Sequence, residues 1–142
     1  MGHAQCDFCL VACRSSAAFN KNNSKILTRG TDGGVRIFDI DSGKLLNNIK
    51  AHNGWVLGAI FSSDENKVLT WSASYKEKTV RVWDTSNKEG LLLKSFEHEH
   101  VKGASFGRTP DKVMSWSDSS LILRDITTGK LIFNFKQKGI VG

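Results

Sequence analysis

His3, Cys6, Cys9 and Cys13 place a C-x2-C-x3-C run and a histidine inside the first thirteen residues, a set that could ligate zinc in a tetrahedral site. Structural zinc modules bring a second ligand pair from further along, and the chain has no other cysteine, so ordinary reduced thiols are the expected state of this cluster. His98-Glu99-His100 would set two imidazoles on one side of an extended segment, a possible metal clip, although a loop between elements explains the tripeptide more simply. His52 and Asp118 are the residues that general acid–base chemistry would draw on. Against that, the chain has no G-x-S-x-G, G-x-x-x-x-G-K-[ST], H-E-x-x-H or G-x-G-x-x-G motif. Enzymatic activity therefore has no support at the level of residues, and no cofactor is expected.

The bulk properties bound what could hold such residues in place. The 142 residues fit one domain of ordinary size; hydrophobic residues make up 39% and charged residues 24%, enough for a packed core. No run approaches 18 apolar residues, so no membrane-spanning helix is expected. The net charge of +6 is dispersed, with no run of five like charges, and bears on solubility rather than on a specific partner. Nucleic acid is accordingly the weakest partner class, because neither a basic stripe nor a stacking platform accompanies the charge. Three cysteines, an odd number, fit the reducing interior of a cell, and a cytoplasmic location is the expectation.

The elements come from internal repetition. Ala17-Ala18-Phe19, Ala59-Ile60-Phe61 and Ala104-Ser105-Phe106 align, and eight residues after each Phe stands Leu27, Leu69 or Met114. A short turn and an alternating strand follow each: Val35-Arg36-Ile37-Phe38-Asp39, Val80-Arg81-Val82-Trp83-Asp84 and Leu121-Ile122-Leu123-Arg124-Asp125. The first and third copies continue in parallel, as Asp39-Ile40-Asp41-Ser42-Gly43-Lys44-Leu45 and Asp125-Ile126-Thr127-Thr128-Gly129-Lys130-Leu131, two periods of about 43 residues apart. Each copy holds four short extended segments; in the second these are roughly 55–61, 67–72, 79–83 and 91–96. Alternation of Thr79 and Arg81 with Val80 and Val82 predicts one face of that strand on a core.

On these residues the chain resembles the WD-repeat β-propeller family, whose period is about 40–45 residues. Val80-Arg81-Val82-Trp83-Asp84 matches the family's strand ending in Trp-Asp, and His52 stands where the family's Gly-His dipeptide places its histidine, with Ala51 in place of the glycine. The resemblance covers about residues 14–136. It implies an all-β fold, a partial β-propeller of three four-stranded antiparallel blades: an N-terminal segment with the Cys cluster at 1–13, blades at 14–50, 51–97 and 98–136, and a tail at 137–142. It also implies that His52, Asp118 and their neighbours are structural, since family blades are pinned by a loop His, a strand Ser or Thr, a turn Asp and the Trp. Carried over residue by residue, the second blade would use His52, Ser72, Glu77 and Trp83. The third would keep His98, Ser117 and Asp118 with Arg124 at the Trp position, and the first would keep Asp32 with Gly30 and Phe38. With no set complete, the blades are expected to be held mainly by apolar packing.

Propellers are built from four to eight blades, so three leave the flat faces of both terminal blades open. At about 800 Å² per face, about 56% of it apolar, an unsealed contact forgoes about 11 kcal/mol, comparable with a domain's stability of about 5–15. Residues 137–142 read as the opening of a further unit, which favours a fragment of a longer propeller; two copies closing a six-bladed ring are the alternative. The expected function is a non-catalytic protein–protein interaction scaffold whose rim binds a protein or peptide, with Trp55, His100, Lys76 and Thr31 as the contact residues that the resemblance implies. Its alternative is an accessory or sensor region of a larger signalling protein with an NTPase or protease domain, since Leu69-Thr70-Trp71-Ser72 is similar to bacterial members of the family.

Overall fold

The computed structural model describes residues 16–74 and 77–136, and the regular structure within them is β-strand. β1 (Ser16–Phe19), β2 (Lys25–Arg29), β3 (Gly34–Asp39) and β4 (Leu45–Lys50) form the first sheet. The second is β5 (Gly58–Phe61), β6 (Lys67–Ser74), β7 (Glu77–Asp84) and β8 (Leu91–Glu97); the third is β9 (Gly103–Phe106), β10 (Lys112–Trp116), β11 (Ser120–Asp125) and β12 (Leu131–Lys136). Strands follow one another in sequence order, every neighbour antiparallel. This is the expected class: three four-stranded antiparallel blades. β5 lies beside β2, and β9 beside β6 and β5, so the first strands gather along one side of the arc.

The repeated residues have repeated roles. Lys25 pairs with Asp39, Lys67 with Asp84 and Lys112 with Asp125, opposite charges facing across the second and third strands of each blade. The Asp39–Gly43 and Asp125–Gly129 turns close identically, each glycine N–H donating to the aspartate carbonyl at 2.8 Å. Gly43 and Gly129 sit at φ of 73° and 75°, where a side chain would be strained. Each blade also shifts register between its third and fourth strands at the same place, beside Phe38, Trp83 and Arg124.

Both faces of the middle blade are covered, whereas the alternation along β7 predicts only one. Leu69, Val80 and Val82 join Val101, Ala104, Val113 and Ile126 of the third blade in one core cluster. On the opposite face Val68 and Trp83 pack with Leu27, Val35, Ile37 and Ile49 of the first. Thr79 and Arg81 share that second face, where the Thr79 hydroxyl donates to Glu77 and Arg81 donates to the Ala51 carbonyl and pairs with Glu77. β5 begins at Gly58, later than the expected 55: Val56 donates its N–H to Gly30 O of the first blade, and contact with β6 opens only at Leu57, whose N–H donates to Trp71 O.

Candidate functional site

In the second blade a chain of hydrogen bonds runs from an obligate donor to an obligate acceptor. Trp83 Nε1–H donates to Thr70 Oγ1 at 3.1 Å, and Thr70 lies 2.9 Å from His52 Nε2. His52 Nδ1 lies 2.5 Å from Glu77 Oε2. Indole can only donate and carboxylate only accept, so the direction is set: Thr70 O–H donates to Nε2, and Nδ1–H donates to Glu77. Glu77 also accepts from Asn53 N–H and the Thr79 hydroxyl and pairs with Arg81 Nη1 at 2.9 Å. Burial pushes the His52 imidazole below its ordinary value, against the opposing pull of Glu77. Glu77 stays below the usual carboxylate range: burial would raise it, but the hydrogen bonds from Asn53, His52 and Thr79 outweigh that. Gly33 delivers the histidine. Its carbonyl accepts the Ala51 and His52 N–H groups, and a Cβ on it would lie 2.0 Å from the His52 carbonyl oxygen.

Two expectations are corrected here. The hydroxyl is Thr70, not Ser72: Trp83 faces Val68 across the strands, so Thr70 is the next residue on that face and Ser72 a further ~7 Å along. Ser72 is buried with its hydroxyl unpartnered. The set is moreover complete, with Glu77 serving where the family has Asp, so this blade is held by polar bonds as well as apolar packing.

The third blade solves the same problem without a carboxylate. His98 Nδ1 lies 2.8 Å from Ser115 Oγ, and Nε2 lies 2.8 Å from Ser120 Oγ, which in turn meets Ser117 Oγ at 3.0 Å. Ser115, not Ser117, therefore holds the strand position, and Ser117 closes the turn by accepting the Ser119 and Ser120 N–H groups. Asp118 is turned outward, 72% exposed, and pairs with Lys102. At the Trp position Arg124 lies over the Phe96 ring of the second blade, 4.9 Å from its centroid. His98 is pushed down by burial and by the Arg124 charge. In the first blade Asp32 accepts from Gly34 N–H and pairs with Arg36.

His98 and His100 do not form a clip. His98 is buried in its serine pair, while His100 has a φ of 57° and is exposed, so the tripeptide is not extended. Among the described residues no three His, Cys, Asp or Glu gather as a metal site. His3, Cys6, Cys9, Cys13 and Lys76 lie outside the described residues.

The surface candidates share one rim. The β2–β3 and β10–β11 turns and the β4–β5 and β8–β9 connections lie at the same end of the sheets, which brings Thr31, Trp55 and His100 to that end. Val56 and Val101 sink into the two core clusters, and their predecessors Trp55 and His100 are left at the surface. Trp55 is 48% exposed, and Leu57, which is not among the contact residues that the resemblance implies, is 40% exposed two residues on. Its signal was available: an apolar residue two after Trp55, with only Val56 between them required by the core. Arg29 Nη1 donates to Val56 O at 2.8 Å and props this connection against the first blade. The connection thus leaves an aromatic and an aliphatic side chain at the surface of this rim.

A chain of repeated four-stranded blades with a Trp-hydroxyl-His-carboxylate pin defines a repeat protein of propeller type. Comparison with known proteins agrees. The family model described as WD domain, G-beta repeat matches residues 43–84. Pre-mRNA-processing factor 19 of Bos taurus is 31% identical over 112 residues, which are 78% of this chain and 22% of that protein. Serine-threonine kinase receptor-associated protein of Dictyostelium discoideum is 30% identical over 104 residues, 72% of this chain and 34% of that one. The β-propeller domain of Myceliophteria thermophila Cps50 (Swd1) superposes with a TM-score of 0.73 at 13% identity, covering 87% of this chain and 41% of that one. The chain belongs to the WD-repeat β-propeller family. It spans about a fifth to a third of the length of these curated relatives. The matched repeat runs from β4 of the first sheet through β7 of the second, so it spans parts of two blades.

Proposed function

We propose that this chain is a non-catalytic protein-interaction scaffold, a three-bladed section of a WD-repeat propeller that presents its rim to a protein or peptide partner. One observation carries the reading: the groups that resemble catalytic ones, His52, Glu77 and His98, are consumed in pinning the blades, while Trp55 and Leu57 stand exposed on the rim. Exposed tryptophan is enriched among interface hot spots, where truncation costs about 2 kcal/mol or more. The ring is completed by blades outside these 142 residues, a reading supported by the share of its relatives that the chain spans. The work is expected to take place in the cytoplasm.

Partner capture tests the proposal. Trp55→Ala is expected to weaken a captured partner by about thirtyfold, the equivalent of about 2 kcal/mol, with little change in thermal midpoint. A large fall in midpoint, with binding intact once folding is corrected for, would make Trp55 a packing residue and overturn the rim assignment.

A further inference from the structure

The rim connection between the pin and Trp55 carries the one Asn-Gly pair of the sequence, Asn53-Gly54. An asparagine before glycine can cyclise. The glycine backbone nitrogen, unhindered by a Cβ, attacks the side-chain carbonyl carbon and expels ammonia, and water then opens the succinimide to isoaspartate or aspartate. The reaction needs a side chain free to turn and a glycine N–H free to lose its proton. Asn53 is exposed, and among the described residues its side-chain amide makes no hydrogen bond. Ala51, His52, Asn53, Val56 and Leu57 all spend their N–H groups, on Gly33, Glu77, Gly30 and Trp71, whereas the Gly54 N–H has no acceptor among the described residues.

The other candidates lack this combination. No other asparagine precedes a glycine, and Asn20 and Asn47 are buried with their amides hydrogen-bonded. Asp32-Gly33 has the same spacing, but an aspartate cyclises in its neutral acid form. Burial would raise Asp32, yet the hydrogen bonds from Arg36 and Gly34 hold it below the usual carboxylate range, ionised and a poor electrophile.

The backbone at Asn53 is part of the pin. Its N–H donates to Glu77 Oε1 at 2.9 Å, and the same carboxylate holds His52. Isoaspartate routes the main chain through the side-chain carbons, which adds a methylene between His52 and Trp55 and leaves a free carboxylate beside the N–H that Glu77 accepts. Like charges so close repel. His52 is held by Thr70 and Glu77, and Val56 is buried in the core, so neither end of the segment can follow the lengthened chain. The extra length falls on Gly54 and Trp55.

We infer that Asn53 is a site of spontaneous modification, and that its conversion to isoaspartate turns Trp55 out of the position it holds on the rim, a one-way covalent change in the surface that the proposed function uses. The consequence for binding rests on that reading; the chemistry and the displacement of Trp55 do not.

Incubation of the full chain at mildly alkaline pH, sampled over days, tests both parts. Peptide mapping with enzymatic methylation of isoaspartate is expected to find conversion at residue 53, with ammonia released in equal amount. Asn53→Gln, whose longer side chain forms the ring far less readily, is expected to stay unconverted. In NMR spectra the Trp55 indole N–H signal, identified by its loss in Trp55→Phe, is expected to split into an original and a shifted signal whose ratio follows the converted fraction. The Trp116 signal is expected to stay in place, and aged Asn53→Gln to show no shifted Trp55 signal. Conversion that requires denaturant, with the folded chain left intact, overturns the site, because the fold then protects the pair. A converted chain whose Trp55 signal does not move overturns the displacement. Neither readout uses a partner, so a failure here leaves Trp55-dependent capture standing, and a failure of that capture leaves the modification standing.

Discussion

Thr70 is the joint of the polar pin, because its hydroxyl accepts from Trp83 and donates to His52 at the same time. Thr70→Val keeps the shape and removes both bonds, leaving a buried indole N–H and a buried imidazole nitrogen unpaired at about 1–3 kcal/mol each. Chemical denaturation is expected to register a loss of about 2–4 kcal/mol for Thr70→Val and under about 1 for Thr70→Ser, which retains the hydroxyl. Equal losses for the two would mean that packing of the methyl group, not the bond chain, sets the cost. The family resemblance groups a strand hydroxyl with His52 and Trp83 and implies Ser72 for it, whereas the structure has Thr70. Both hydroxyls lie on the same face at a period of two, and the choice depends on Trp83 standing opposite Val68, which the unbroken β6–β7 register sets.

At the scale of elements the repeat was legible almost throughout, since the Phe-closed first strand with an apolar residue eight positions on recurs three times, and the Asp-to-Gly turn recurs in the first and third copies. What stayed hidden was the burial of the polar face of β7, because periodicity reports alternation and is silent on whether a neighbour covers the second side. The turns make a sharper test of how the blades are assembled. Gly33 and Gly43 both have positive φ, but a Cβ on Gly33 meets the His52 carbonyl, while one on Gly43 meets nothing. Gly43→Ala is therefore expected to cost only the backbone strain, about 1–2 kcal/mol, and Gly33→Ala distinctly more, because the loop that carries His52 must move. Thermal unfolding of the pair checks this. A cost for Gly33→Ala no greater than for Gly43→Ala would show that the β4–β5 connection yields without disturbing the pin.

Repeat proteins gain stability from contacts between neighbours, and among the described residues the second blade packs against a blade on each side. Val80, Val82, Val68 and Leu69 are fully buried at the centre of the arc, while β12 is exposed along its length and Phe19 faces outward at the other end. Local opening should follow that gradient, with β6 and β7 opening only in global unfolding and β1 and β12 opening first. Native-state hydrogen exchange is expected to show amides of β6 and β7 at least about tenfold slower than paired amides of β1–β2 and β11–β12, since each 1.4 kcal/mol of extra local stability is worth about a factor of ten. Uniform protection from β1 to β12 at every concentration would mean that the three blades open as a single unit, and that the unsealed ends are far less costly than their apolar faces imply.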